Sequence, residues 1–189
     1  VPLSEAASLS LRLGAEAGVA RYSMLDWYDA RTPMPDNYRY LPSYTDDLET
    51  ERAWLTRDPR YTQIDWDELI RRNRMQGGHA VYALDDRVER PVRLCFDAAF
   101  SVRTDSRLTL RCGVSLRSDR TRFYRQMRDL LGAGYVTDID RYLVDDDTYS
   151  NLLQNDLRHP DRTIREGDRF GYDYAIRSRE IRARFCAEY

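Results

Sequence analysis

Lysine is missing from this chain: all 30 basic residues among its 189 are arginine. Two causes fit. A GC-rich genome favours arginine codons, and a protein delivered into a host cell gains from offering no ε-amine as a ubiquitin acceptor. Histidine is almost as scarce. His79 and His159 stand far apart and outside any ligand-spaced motif, so no metal centre is expected. The run Asp145-Asp146-Asp147 is not followed by a calcium-loop pattern and reads as a helix N-terminus, where carboxylates oppose the helix dipole. The three cysteines, Cys95, Cys112 and Cys186, show no CxxC spacing and cannot all pair. They read as thiols in a reducing compartment, which points to the cytoplasm, with secretion or delivery into a host cell as the alternative.

Further absences remove whole classes of chemistry. No apolar run approaches the ~20 residues needed to span a bilayer, so no membrane partner is expected. The opening stretch carries Glu5 and Glu16 and lacks a basic start followed by an apolar block, unlike a signal peptide. There is no GxSxG nucleophile elbow, no cysteine ahead of His79 as papain-like enzymes need, and neither GxxxxGK[ST] nor GxGxxG. A net charge of −2 argues against bulk nucleic-acid affinity. The charge is unevenly spread, however: residues 77–135 hold 11 Arg against 7 acids, while 136–161 hold 2 Arg against 7 Asp.

What is present suits a folded core. Hydrophobic residues make up 42% and aromatics 12%, and no repeat, linker or break in composition divides the chain, so residues 1–189 read as one domain. Leu9, Leu11 and Leu13 alternate with polar neighbours, which fits a half-buried strand, and Val19 to Tyr28 reads as a second. Pro33, Pro35 and Pro42 mark a loop. A helix beginning near Asp46 ends before Pro59. Another is capped by Asp65, with Glu68 closing a capping box, Ile64 stapled to Leu69, and Gly77-Gly78 as its stop.

Three strands then follow, over 79–85, 91–100 and 107–116. Val92, Leu94, Phe96, Ala98 and Phe100 share one face of the second, as do Leu108, Leu110, Cys112, Val114 and Leu116 in the third. Arg107, Arg111 and Arg117 point the other way. Such alternation predicts an antiparallel sheet with one dry and one polar face. Ser118 is expected to cap a helix bearing Phe123, Met127, Leu130 and Leu131 on one stripe and ending at Gly132. Tyr135 to Ile139 reads as a strand, Asp147 as the cap of a helix with Tyr149, and Phe170 to Phe185 as a long strand or hairpin with a parity switch near Ser178. The fold class predicted is α+β: a single domain with a central, mostly antiparallel mixed sheet flanked by helices. On its polar face Arg93, Arg107, Arg111 and Arg117 could fork-bind carboxylates or phosphates, or be neutralised by nearby acids.

The order strand, two helices, three antiparallel strands, helix, strand, helix, terminal strands resembles the GNAT family of N-acyltransferases. The stretch Thr50-Glu51-Arg52-Ala53-Trp54-Leu55 looks like a helix some members carry before their second strand. The resemblance implies a coenzyme A thioester as cofactor and an amine as acyl acceptor, on a small molecule or a protein. The family's pyrophosphate loop reads Q/R-x-x-G-x-G/A. Here that place reads Arg117-Ser118-Asp119-Arg120-Thr121-Arg122, without glycine, so Arg117, Ser118, Arg120 and Arg122 would meet the cofactor at a helix N-terminus. Tyr149 would be the general acid and His79 a candidate base.

A fainter likeness links Tyr28-Asp29-Ala30-Arg31-Thr32-Pro33 and Gly78-His79-Ala80-Val81-Tyr82 to ADP-ribosylating toxin chains, although Trp27 stands where their catalytic arginine falls and their serine-threonine-serine motif is missing. The remaining reading is a non-catalytic binding or regulatory module. It would act through protein-protein contacts, using the polar sheet face or the aromatic loop around Tyr38, Tyr40 and Tyr44.

Overall fold

The computed structural model describes residues 2–28, 30–104, 107–140 and 153–189. Strand β1 (Ala7–Ala17) carries the leucine alternation, and β2 (Ala20–Trp27) follows after Gly18 and Val19. Both pair with β3 (Tyr82–Arg103). The β1–β3 ladder is antiparallel, from Ala7 opposite Val102 to Ala17 opposite Val92. Beyond β3 come β4 (Thr109–Asp129) and β7 (Arg169–Glu188), giving the order β1-β3-β4-β7. The short strands β5 (Val136–Thr137) and β6 (Thr163–Ile164) form a separate antiparallel pair. The helices α1 (Pro42–Thr45), α2 (Leu48–Leu55), α3 (Pro59–Thr62) and α4 (Trp66–Met75) all lie between β2 and β3.

This architecture corrects the expected fold class. Strands account for 53% of the described residues and helices for 17%, so they form a large antiparallel sheet with a few short helices, not an α+β sheet flanked by helices. The largest single difference is the helix expected from Ser118, because residues 118–129 are the second half of β4. Their helical periodicity lost to partners from other strands: Asp119 bonds Arg93, Arg122 bonds Asp173, and Phe123 stacks on Tyr174 at 5.3 Å. Gly132 does end an element, with φ +83, but the element it ends is a strand. Likewise the strands expected over 79–85 and 91–100 merge into β3, since Pro91 lies in mid-strand and the sequence took it as a break. The expected helix capped by Asp147 lies outside the described residues.

The chain divides into two compact units. Unit 2 (Tyr22–Arg87 and Arg125–Tyr172) holds the core. Tyr28, Ala80, Ala83, Met127, Leu130, Val136, Ile164 and Phe170 form one buried cluster, and Leu25, Leu69, Tyr82 and Leu131 a second. Helix α4 is placed as the sequence implied. Asp65 accepts the N–H of Glu68 at its start, Ile64 packs in the cluster of Leu69, and Gly77 and Gly78 take positive φ beyond its end. Glu68 does not turn back to complete the capping box; it binds Arg71 and Arg72.

Asn73, fully buried, ties α4 to two strands. Its amide N–H₂ donates to the carbonyls of Tyr82 (2.7 Å) and Leu130 (2.8 Å), and its oxygen accepts the N–H groups of Val81 and Tyr82, each at 3.0 Å. Every hydrogen-bonding site of one side chain is thereby used on backbone that would otherwise be buried unsatisfied.

Unit 1 (Val1–Arg21, Val88–Tyr124 and Asp173–Tyr189) is built differently. Among its described residues there is no helix, and only Val88 and Tyr124 are buried. It is a sheet without a core.

Candidate functional site

The two faces of the unit 1 sheet follow from its cross-strand pairs. Arg12 stands opposite Asp97 and Glu16 opposite Arg93, so these four side chains share one face. Ser115 donates to Asp97 at 2.5 Å and Arg93 donates to Asp119 at 2.7 Å, which brings the odd-numbered positions of β4 onto that face. Arg111 donates to Glu188 at 2.8 Å, which brings the even-numbered end of β7 there too. The result is a lattice of charge pairs. Asp119 accepts from both Arg93 and Arg117, and the hydrogen bonds from Arg117 and Arg93 hold its carboxyl below the usual carboxylate range.

Alternation then assigns the other face. On β1 it carries Leu9, Leu11 and Leu13, directly opposite Phe100, Ala98 and Phe96 of β3. On β4 it carries Cys112, Val114 and Leu116, and on β7 Ile181, Ala183 and Phe185. No charged side chain interrupts these positions. Leu9, Phe96, Ala98 and Phe100 are half-buried, but most of the rest are open to solvent: Leu13 is 84% exposed, Ile181 77% and Phe185 74%, with Leu94 and Leu116 also exposed. Soluble chains scatter exposed apolar residues singly; a contiguous apolar sheet face is a different feature.

Unit 2 offers two smaller candidates. One is a cleft of about 330 Å³ lined by Arg31, Tyr40, Arg60, Tyr61, Arg72 and Tyr82 among others. Its cations are largely engaged: Arg60 pairs with Asp58, Arg72 with Glu68, and the Arg31 guanidinium lies 4.1 Å above the Tyr40 ring. The other is a buried charge cluster in which Arg125 bridges Asp85 and Asp26 and stacks 4.6 Å from Phe170. Burial works against the charge of Arg125, but the hydrogen bond and field of Asp85, with Asp26, outweigh it and push its pKa up. One oxygen of Asp85 is buried without a hydrogen-bond partner. Among the described residues, no three His, Cys, Asp or Glu side chains come together as metal ligands.

The residues singled out from the sequence are scattered over the two units. Arg117, Ser118, Arg120 and Arg122 lie within β4 in unit 1, so the helix N-terminus that was to receive a coenzyme pyrophosphate is absent there. Arg117 is held by Asp119 and Arg122 by Asp173, while Ser118 and Arg120 are exposed on the strand. The acid neutralisation of Arg93 and Arg111 accounts for the polar-face arginines, and Arg107 is also engaged. His79 belongs to unit 2, bridges to Tyr135, and meets that ring edge-on at 5.4 Å; burial pushes its pKa down. Tyr149 lies outside the described residues. In the aromatic loop, Tyr38 and Tyr44 meet edge to face at 5.3 Å.

Sequence reasoning found the dry face of β3 and β4 but assumed that helices covered it. The signal it missed was that, with 118–129 a strand, no α-helix among the described residues follows β4. No protein-family model matches the chain, and comparison with curated proteins and with solved structures returns no match. Among the described residues no helix is long and apolar enough to cross a membrane, which says nothing of strands.

Proposed function

We propose that this chain is a non-catalytic assembly module that acts through protein-protein contacts, with the apolar face of the unit 1 sheet as its contact surface. One observation carries the reading: Leu13, Ile181 and Phe185 stand on the uncharged stretch of a single sheet face and are each at least 74% exposed. Four strands about 4.8 Å apart, each contributing ~9 residues at ~3.3 Å, present roughly 600 Å² in projection. That matches or exceeds the largest apolar patch of a typical monomer, about 300–600 Å². Left in water, such a face costs free energy in proportion to its area, so covering it is the change the structure favours most.

The cysteines supply the test. Cys112 alternates with Leu110 and Val114 on the apolar face, whereas Cys186 shares the polar face with Glu188; both are exposed in the chain. Thiol labelling in the cells that make the protein, read by mass spectrometry of the two peptides, is expected to show Cys112 protected and Cys186 reactive. Equal labelling of both would mean that the face stays uncovered, and the reading fails.

A further inference from the structure

We infer that the apolar face is closed by a second copy of this chain, the two sheets stacking face to face about a two-fold axis. This rests on the reading of that face as a contact surface. The face has no charge and no hydrogen-bonding side chain over its centre, so its partner must be flat, wide and equally apolar. A copy of the same sheet supplies that surface with the same hand of twist, and twisted sheets of one hand stack with strands roughly 30° apart and ~10 Å between layers. Two faces of roughly 600 Å² each bury about 1,200 Å² in total, the lower edge of the range for stable specific interfaces.

Charge selects the orientation. Continuing the alternation, Arg90 of β3, Arg120 and Arg122 of β4 and Arg177 and Arg179 of β7 fall on the apolar face at one end of the sheet, Arg122 paired there with Asp173. The opposite end, with Ala7 opposite Val102, carries no charge on this face. A two-fold axis perpendicular to the strands sets each arginine end over the uncharged end of the other copy. An axis along the strands would stack the arginine ends of the two copies on each other. The first arrangement is the one inferred, and it is isologous, so it stops at two copies.

Sedimentation equilibrium of the purified chain over a wide dilution series tests this. The expected species is a dimer. Leu13→Asp and, separately, Leu116→Asp are expected to weaken dimerisation by at least about a hundredfold, since each leaves an unpaired carboxylate in a dry interface. Both side chains are exposed in the single chain, and circular dichroism checks that each variant keeps its fold. Ser10→Asp, on the polar face opposite Ala99, is expected to leave the dimer unchanged. In the wild-type dimer Cys112 is protected from labelling, and Leu13→Asp restores its reactivity. A wild-type chain that stays monomeric, or an assembly indifferent to Leu13→Asp, overturns the inference. So does a monomer that binds phosphatidylcholine vesicles through Leu13, because lipid is then the occupant. If the purified chain is a monomer while Cys112 is protected in the cell, a different protein covers the face: the second copy is ruled out and the assembly reading stands.

Discussion

Ile164 and Ile181 are the same side chain in neighbouring stretches of one sequence, yet the first is fully buried and the second is 77% exposed. Ile164 sits on β6, opposite Val136, inside the core cluster of unit 2. Ile181 sits on β7 in unit 1, on a face that no described helix covers. Both obey the alternation expected of strands. The comparison teaches that alternation specifies a face, whereas burial needs a second layer, and only unit 2 brings one. In unit 2 that layer comes from α4, through Leu69 and Ile70, and from the β5–β6 pair, through Val136 and Ile164. In unit 1 the stabilising contacts lie in the ladders and on the polar face, where Arg93, Arg117, Asp119 and Glu16 interlock.

The contrast can be broken at its strongest point first. Asn73→Ala leaves the N–H groups of Val81 and Tyr82 and the carbonyls of Tyr82 and Leu130 without their partner. It is expected to destabilise unit 2 by about 4 kcal/mol, read from the urea midpoint. A loss below about 1 kcal/mol would show that water replaces the amide and that the tie is dispensable. The two isoleucines give the next test. Ile164→Ala is expected to cost about 3 kcal/mol through lost transfer energy and a residual cavity. Ile181→Ala, made in the Leu13→Asp background so that association does not enter, is expected to cost under about 0.5 kcal/mol. Equal effects would mean that unit 1 has a core after all.

The smallest effect concerns pH. Burial lowers the pKa of His79 below its ordinary value near 6.5, so the folded chain resists a proton that the unfolded chain accepts. Stability contributed by neutral His79 is therefore present above the unfolded pKa and is lost as pH falls through 6.5 toward the folded value. Asp47, Asp58, Glu68, Asp119 and Asp156 are all held below the usual carboxylate range and stay ionised in that window. Wild type is thus expected to lose a little stability between pH 7.5 and 5.5, and His79→Phe, which keeps the ring against Tyr135, is expected to lose less. Identical pH slopes in the two proteins would rule out His79 as the source.

Legibility followed the range of the interactions. The caps and stops of α4 were readable because Asp65, Ile64, Leu69 and Gly77 act within a few residues of one another. The faces of β3 and β4 were readable because period-two alternation is local. Residues 118–131 were misread because Phe123, Met127, Leu130 and Leu131 satisfy a helical stripe as well as they satisfy strand and turn. The decision came from Arg93, Asp173 and Tyr174, none of them within reach of a local pattern. The Asp26–Asp85–Arg125 cluster was invisible for the same reason, since its members come from β2, β3 and β4.

Acting alone, then, the order of residues specified which side chains would share a strand face, where α4 begins and ends, and which chemistries have no motif to support them. Those are short-range matters of dihedral preference, capping and spacing. Pairing partners, the strand identity of the second half of β4, and above all the exposure of Leu13 and Ile181 were decided by tertiary structure. They depend on which distant segments meet, and the free energy of a meeting belongs to both segments and can be read from neither one.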